Sequence, residues 1–174
     1  MSETVRLLGL DPGLRAMGWG VIDVTGNRLS HVANGTVTSS SKLSLAERLV
    51  QLEEGLVSVI ADHAPASAAV ETAFVSKDAA AALKLGQARA VALLVPSRSG
   101  LDVAEYAPNK IKKTVTGSGH ADKQQIKMMV ETLLARCKTK SEHAADALAV
   151  AICHAHYRSA VSYVEVADAR VTRA

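Results

Sequence analysis

Three carboxylates and one imidazole in this 174-residue chain stand where ordinary packing does not call for them. Asp11 closes a nearly continuous apolar run over residues 5–10 and is followed at once by Pro12 and Gly13. Glu71 closes a second apolar run over residues 66–70. Asp146 lies among Ala144, Ala145, Ala147, Leu148 and Ala149, three residues after His143. An ionised carboxylate taken into a core costs several kcal/mol unless it is paired, hydrogen-bonded or bound to a cation. Each acid has a local explanation: an Asx-type turn for Asp11, a helix entry for Glu71, and for Glu142 and Asp146 a helix N-terminus whose dipole favours negative charge. Their recurrence at strand ends has another. If the strands ended by Asp11 and Glu71 are neighbours, and Asp146 faces them, three acids and an imidazole share one oxygen-rich cage. Such a cluster repels itself unless a divalent cation neutralises it or some members are protonated. Mg²⁺ prefers carboxylates and water and keeps positions open for a phosphate.

The elements that must position these groups follow from periodicity. Residues 5–11 and 14–24 read as a buried strand, a tight turn and an antiparallel return, with Gly13, Gly18 and Gly20 allowing backbone or a ligand to approach closely. Residues 28–37 form a third strand across a Gly26-Asn27 hairpin. Ser44 and Glu47 make a capping box for a helix with Leu45, Leu49, Leu52, Leu56, Val59 and Ile60 on one face. The run ending at Glu71, placed between two helices, reads as a parallel strand. An alanine-rich helix over residues 78–95 stacks Ala82, Gly86 and Ala90 four apart, for close approach to the sheet or to a second subunit, and Pro96 is expected to stop it. Residues 101–106 are the last strand. Pro108 opens a short helix, a loop follows at residues 117–120, Asp122 with Gln125 caps the next helix, and Ser141 caps the last. Beyond Tyr157 no period persists, so residues 159–174 are expected to form a disordered tail after a single domain over 1–158.

Composition narrows the classes. Hydrophobic residues make up 48% of the chain but aromatic ones only 3%, so the core must be built from Leu, Val and Ala. No apolar run approaches the ~18 residues of a membrane span and no leader opens the chain, so a cytoplasmic protein without membrane contact is expected. Cys137 and Cys153 have no framework spacing and read as reduced thiols; Cys153-His154-Ala155-His156 lacks the second ligand pair a zinc site needs. Net charge is only +3, yet residues 106–140 hold seven lysines and one arginine against Asp122 and Glu131. That is either a nucleic-acid face on a mildly acidic body or a solvated lysine-rich helix pair.

Taken in order, Gly9-Leu10-Asp11-Pro12-Gly13 with Gly18 and Gly20, Glu71 with Phe74, residues 82–89 (Ala-Leu-Lys-Leu-Gly-Gln-Ala-Arg), Lys112, Thr114, Gly117, Lys123, and residues 143–149 (His-Ala-Ala-Asp-Ala-Leu-Ala) resemble the RuvC family of Holliday-junction resolvases, members of the ribonuclease H-like superfamily. The resemblance spans nearly the whole chain to about His156. It implies an α/β, ribonuclease H-like fold with a five-stranded mixed sheet and helices on both faces. It also implies metal and catalytic positions at Asp11, Glu71, His143 and Asp146, and two Mg²⁺ or Mn²⁺ ions per active site, ~3.5–4 Å apart, hydrolysing a DNA phosphodiester. Lys112 and Lys123 fall on junction-binding positions and Phe74 on the aromatic near the junction centre. Lys110, Lys113 and Lys127 would extend the phosphate track, each contact adding about −0.9 to the log–log salt slope. The family further implies a four-way DNA junction as substrate, a homodimer with two sites across a two-fold axis, and a branch-migration helicase complex as partner. His143 stands where many relatives carry Asp. Because imidazole suits Mn²⁺ more than Mg²⁺, a Mn²⁺ preference and a loss of activity below the pKa of His143 are expected. Two other readings remain open from sequence: a junction-binding protein whose metal site His143 spoils, and a sugar-kinase or actin-like ATPase. The latter requires a second glycine-rich loop and a longer chain.

Overall fold

The computed structural model describes residues 3–72, 78–135 and 137–171, with side chains as far as Arg158. Strands β1 (Thr4–Asp11), β2 (Ala16–Thr25), β3 (Arg28–Thr38), β4 (Ser67–Glu71) and β5 (Asp102–Tyr106) form one sheet in the order β3-β2-β1-β4-β5. β1, β2 and β3 are antiparallel, β2 and β3 joined by the Gly26-Asn27 turn in which Gly26 takes φ 60°. β4 and β5 run parallel to β1, each reached through a helix. Helices α1 (Leu45–His63) and α2 (Ala79–Arg98) cover one face; α3 (Pro108–Thr116), α4 (Lys123–Leu133) and α5 (Glu142–Val171) cover the other. The five-stranded mixed sheet with helices on both faces expected from the sequence is thus observed.

Strand alternation assigns the two cores. Leu8, Leu10, Ala68 and Val70 pack toward α1 and α2 with Leu52, Leu56, Ala88 and Ala92. Leu7 and Ala69 pack toward α5 with Leu148, Ala151 and Ile152. Because side chains alternate along a strand, Asp11 shares the α5 side with Leu7 and Gly9, and Glu71 shares it with Ala69. Two acids on adjacent parallel strands therefore project from the same face.

Three features depart from the sequence reading. Pro96 does not stop α2 but is buried inside its last turn; the helix ends two residues later, with Gly100 at φ 80° and Leu101 N–H closing on the Pro96 carbonyl. Proline there forfeits only the bond its missing N–H would make, and the left-handed glycine is the true terminator. Second, α5 continues to Val171 where a tail is expected from residue 159. The chain after Tyr157 lacks a helical apolar period, yet it holds neither Pro nor Gly to break a helix already running. Third, α2 is by length and composition apolar enough to cross a membrane, contrary to the sequence expectation. Its Ala88–Ala92–Val95 stripe is nonetheless buried on the sheet, and alanine supplies the apolar character. The stripe of Ala82, Gly86 and Ala90 is not the sheet-facing one: Gly86 and Ala90 are exposed, beside exposed Leu83 and Leu94.

Beneath the α5 face lies a buried polar chain. His154 bonds Ser67 Oγ through Nε2 and the Tyr106 hydroxyl through Nδ1, both at 2.9 Å. Both ring nitrogens are engaged, so the Cys-His-Ala-His segment offers no free His154 for zinc. Burial lowers the His154 pKa to about 4, and so the ring is neutral near pH 7. Tyr106→Phe strips one partner from a buried ring nitrogen and is expected to cost about 1–3 kcal/mol in urea denaturation.

Candidate active site

β1 and β4 are in register at Leu10 and Val70, so the carboxylates of Asp11 and Glu71 leave the sheet side by side. The Asp11 side chain is only 13% exposed. Its neighbour on β2 is Gly18, and over Gly18 passes the first turn of α5. A Cβ on Gly18 would fall 2.0 Å from the His143 carbonyl oxygen, and one on Gly9 would fall 2.1 Å from the Ala147 oxygen. The glycines thus admit backbone rather than a ligand: α5 lies directly on the sheet. That contact delivers His143, whose Nδ1 lies 2.9 Å from Asp11 Oδ2. Ser141 Oγ accepts the Ala144 N–H, completing the helix N-terminus.

The electrostatics show that the four groups share one space. Burial, followed by the charges of Asp11 and Asp146, pushes the Glu71 carboxyl up to about 7. Burial and then Asp11 raise Asp146 to about 6. The hydrogen bond His143 donates to the Asp11 carboxylate raises its pKa above the ordinary value, with the charges of Asp11 and Asp146 adding to it. Lys112 and Lys123 act the other way on Glu71, placing both lysines beside the acids. Lys123 is also paired with Glu142.

The donor set fits a hard divalent cation. It offers three carboxylates and one imidazole, two of the carboxyls held well above their ordinary range by burial and then by the charge of Asp11. The cage is not closed as it stands. Among the described residues, no three acid, imidazole or thiol groups are already gathered at ion-holding distance. Mutual repulsion is the physical reason carboxylates stand apart until positive charge joins them.

The raised pKa of Glu71 sets a test. Its ionisation opposes folding fully above about pH 7 and not at all below the ordinary 4.5. Glu71→Gln is therefore expected to stabilise the metal-free protein by about 2 kcal/mol at pH 8, an advantage that disappears near pH 4. Thermal unfolding of both proteins in EDTA across that range measures it.

The other candidate residues are distributed less evenly. Lys110 turns away from the acids: its ammonium sits 3.7 Å from the centre of the Tyr157 ring and 5.3 Å from that of Tyr106. Two residues along a helix is a turn of roughly 200°, which separates Lys110 from Lys112. Lys113 and Lys127 are exposed, Lys127 near Glu131. Phe74 lies outside the described residues. Sequence reasoning missed Asn34 and Thr36, polar residues facing α5 from β3. No local signal marked them, because a shift in strand register decides which side they face.

An antiparallel three-stranded ribbon extended by two parallel strands, with acids at two adjacent strand ends beneath a helix N-terminus, defines a ribonuclease H-like nuclease fold. The chain belongs to the RuvC family: the model of "Crossover junction endodeoxyribonuclease RuvC" matches residues 7–154. The RuvC of Parvibaculum lavamentivorans is 68% identical over 160 residues, covering 92% of this chain and 91% of that protein. The RuvC of Rhizobium meliloti is 59% identical, covering 93% and 95%. Among solved structures, T. thermophilus RuvC in complex with Holliday junction substrate superposes with a TM-score of 0.82 at 30% identity, over 88% of this chain and 94% of that one.

Proposed function

We propose that this chain resolves four-way DNA junctions by paired hydrolysis of phosphodiesters, acting in recombination and repair. Two Mg²⁺ or Mn²⁺ ions per site would be held by Asp11, Glu71, Asp146 and His143. The observation that carries the reading is the convergence of Asp11 and Glu71, from adjacent parallel strands, with the first turn of α5. Bound divalent ions supply an activated water and Lewis-acid stabilisation of the leaving oxygen. The chain's own residues supply the rest. Asp11 fixes the imidazole through its hydrogen bond. His143 must be neutral to act as a ligand, so activity falls as pH drops through its raised pKa. Lys112 and Lys123 draw the phosphate backbone to the acids they flank.

A junction presents two equivalent strands, and a two-fold homodimer would place one site on each. The exposed face of α2 with Leu83, Gly86, Ala90 and Leu94 is the candidate contact. A branch-migration helicase complex is the proposed partner, and the cytoplasm the proposed compartment.

The test is a synthetic four-way junction beside a linear duplex, each with Mn²⁺, Mg²⁺ or EDTA. Paired nicks on the junction alone, fastest in Mn²⁺ and absent in EDTA, support the reading. Tight junction binding without cutting in either metal would leave the binding-protein reading in its place.

A further inference from the structure

The stretch leading into α5 is tied to β3, and the ties depend on a strand irregularity. β3 pairs Ala33 with Val21 and His31 with Ile22, leaving Val32 as an extra residue opposite that step. In a regular strand His31 and Asn34, three apart, would face opposite sides. The bulge brings both to the α5 side, as bulges near functional sites often re-aim side chains. The result is a network. Asn34, 2% exposed, donates from Nδ2 to the Lys138 carbonyl at 3.2 Å and accepts at Oδ1 from the Lys140 N–H at 3.0 Å. Thr36 Oγ1 lies 2.8 Å from Ser141 Oγ, the hydroxyl that caps α5.

These backbone partners leave the amide one orientation. A carbonyl only accepts and an N–H only donates, so Asn34 Nδ2 must face Lys138 and Oδ1 must face Lys140. The second Nδ2 hydrogen then points at His31 Nε2, 2.8 Å away, which must be the accepting nitrogen. His31 therefore carries its proton on Nδ1. Burial and Lys140 both lower its pKa, in keeping with a neutral ring.

We infer that Asn34, with Thr36, is a positioning residue for the reaction: it sets where α5 begins, and so where His143 meets Asp11 and Asp146 meets Glu71. Neither side chain touches the acids. They act through residues 138–141, a stretch that Thr139 also ties to Glu131 on α4 but that Asn34 and Thr36 tie to the sheet. The inference rests on the metal-dependent reading above for its consequence in catalysis, but its geometric content is separable.

The experiment compares the full-length protein with Asn34→Ala and Asn34→Asp. Asn34→Ala is expected to exchange the Ala144 and Ala145 amides, which bond to Ser141, about tenfold faster, while the amides of residues 148–151 keep parent rates. With Mn²⁺, its kcat on a four-way junction is expected to fall about 10- to 100-fold, with KM unchanged. Asn34→Asp keeps the acceptor for Lys140 but sets a carboxylate oxygen against the Lys138 carbonyl and His31 Nε2, and is expected to lose at least as much in both readouts. A folded Asn34→Ala with parent exchange rates and parent kcat overturns the assignment, as does an Asn34→Asp variant at parent values in both. If Asn34→Ala does not fold, Thr36→Val is judged by the same two readouts. Should the parent itself fail to nick, the catalytic reading falls, while the exchange rates still decide the positioning role.

Discussion

Asp11→Asn is expected to lower junction nicking by about 10³-fold or more while leaving junction affinity within about twofold. The carboxylate stands at the centre of the site: it bonds His143, and its charge raises both Glu71 and Asp146. Asparagine keeps the shape and one acceptor but removes the charge that a cation requires. The phosphate-attracting lysines are untouched, so binding persists. A second consequence separates this result from simple misfolding. His143 loses the carboxylate whose charge-assisted hydrogen bond holds its pKa up, so its imidazole is expected to titrate lower, as followed by NMR. The Glu71 and Asp146 carboxyls also lose a like charge, and their pKa values should come down. A variant that cut DNA at the parent rate would remove Asp11 from the chemistry.

Gly18→Ala is expected to disrupt the fold, because it puts a methyl where backbone already stands. The new Cβ would sit 2.0 Å from the His143 carbonyl oxygen and 2.4 Å from its carbon, both backbone atoms of α5. No rotamer change relieves such a contact, so the helix must lift from the sheet. Overpacking of this kind costs about 3 kcal/mol, which for a chain of this size lowers Tm by roughly 10 °C. Nicking is expected to fall with it, since lifting the first turn carries His143 away from Asp11. Gly86→Ala is the comparison, read at a dilution where the proposed contact between α2 helices is not formed. Nothing lies within 4 Å of a Cβ there, and alanine in an exposed helix is worth about 0.5–1 kcal/mol over glycine. The same substitution should thus stabilise at one position and disrupt at the other, as chemical denaturation of both will measure.

Much of this architecture was legible in the chain. The alternation Leu7-Gly9-Asp11 and the acid-ended run before Glu71 place two carboxylates on one face once the strands are known to be parallel neighbours. The capping boxes at Ser44 and Asp122 mark helix starts where they occur. Ser141 does likewise. Other features resisted because their cause is tertiary. The purpose of Gly18 is invisible until α5 is seen lying upon it. The bulge at Val32 changes which side Asn34 faces without any local signal of its own. Pro96 misled because a proline in a last turn costs little, so its usual meaning as a terminator failed. Lys110 and Lys112 look equivalent in a basic run, yet one rests on tyrosine rings and the other flanks the acids.

The bare seam between α5 and the two glycine-bearing strands has a mechanical consequence. Most helix–sheet junctions are cushioned by side chains that can hop between rotamers and absorb small errors of placement. Here peptide meets peptide, and a stiff interior has nothing soft to yield. A shift of β2 is passed undamped to the imidazole above it, so the accuracy of this corner is that of the main chain itself.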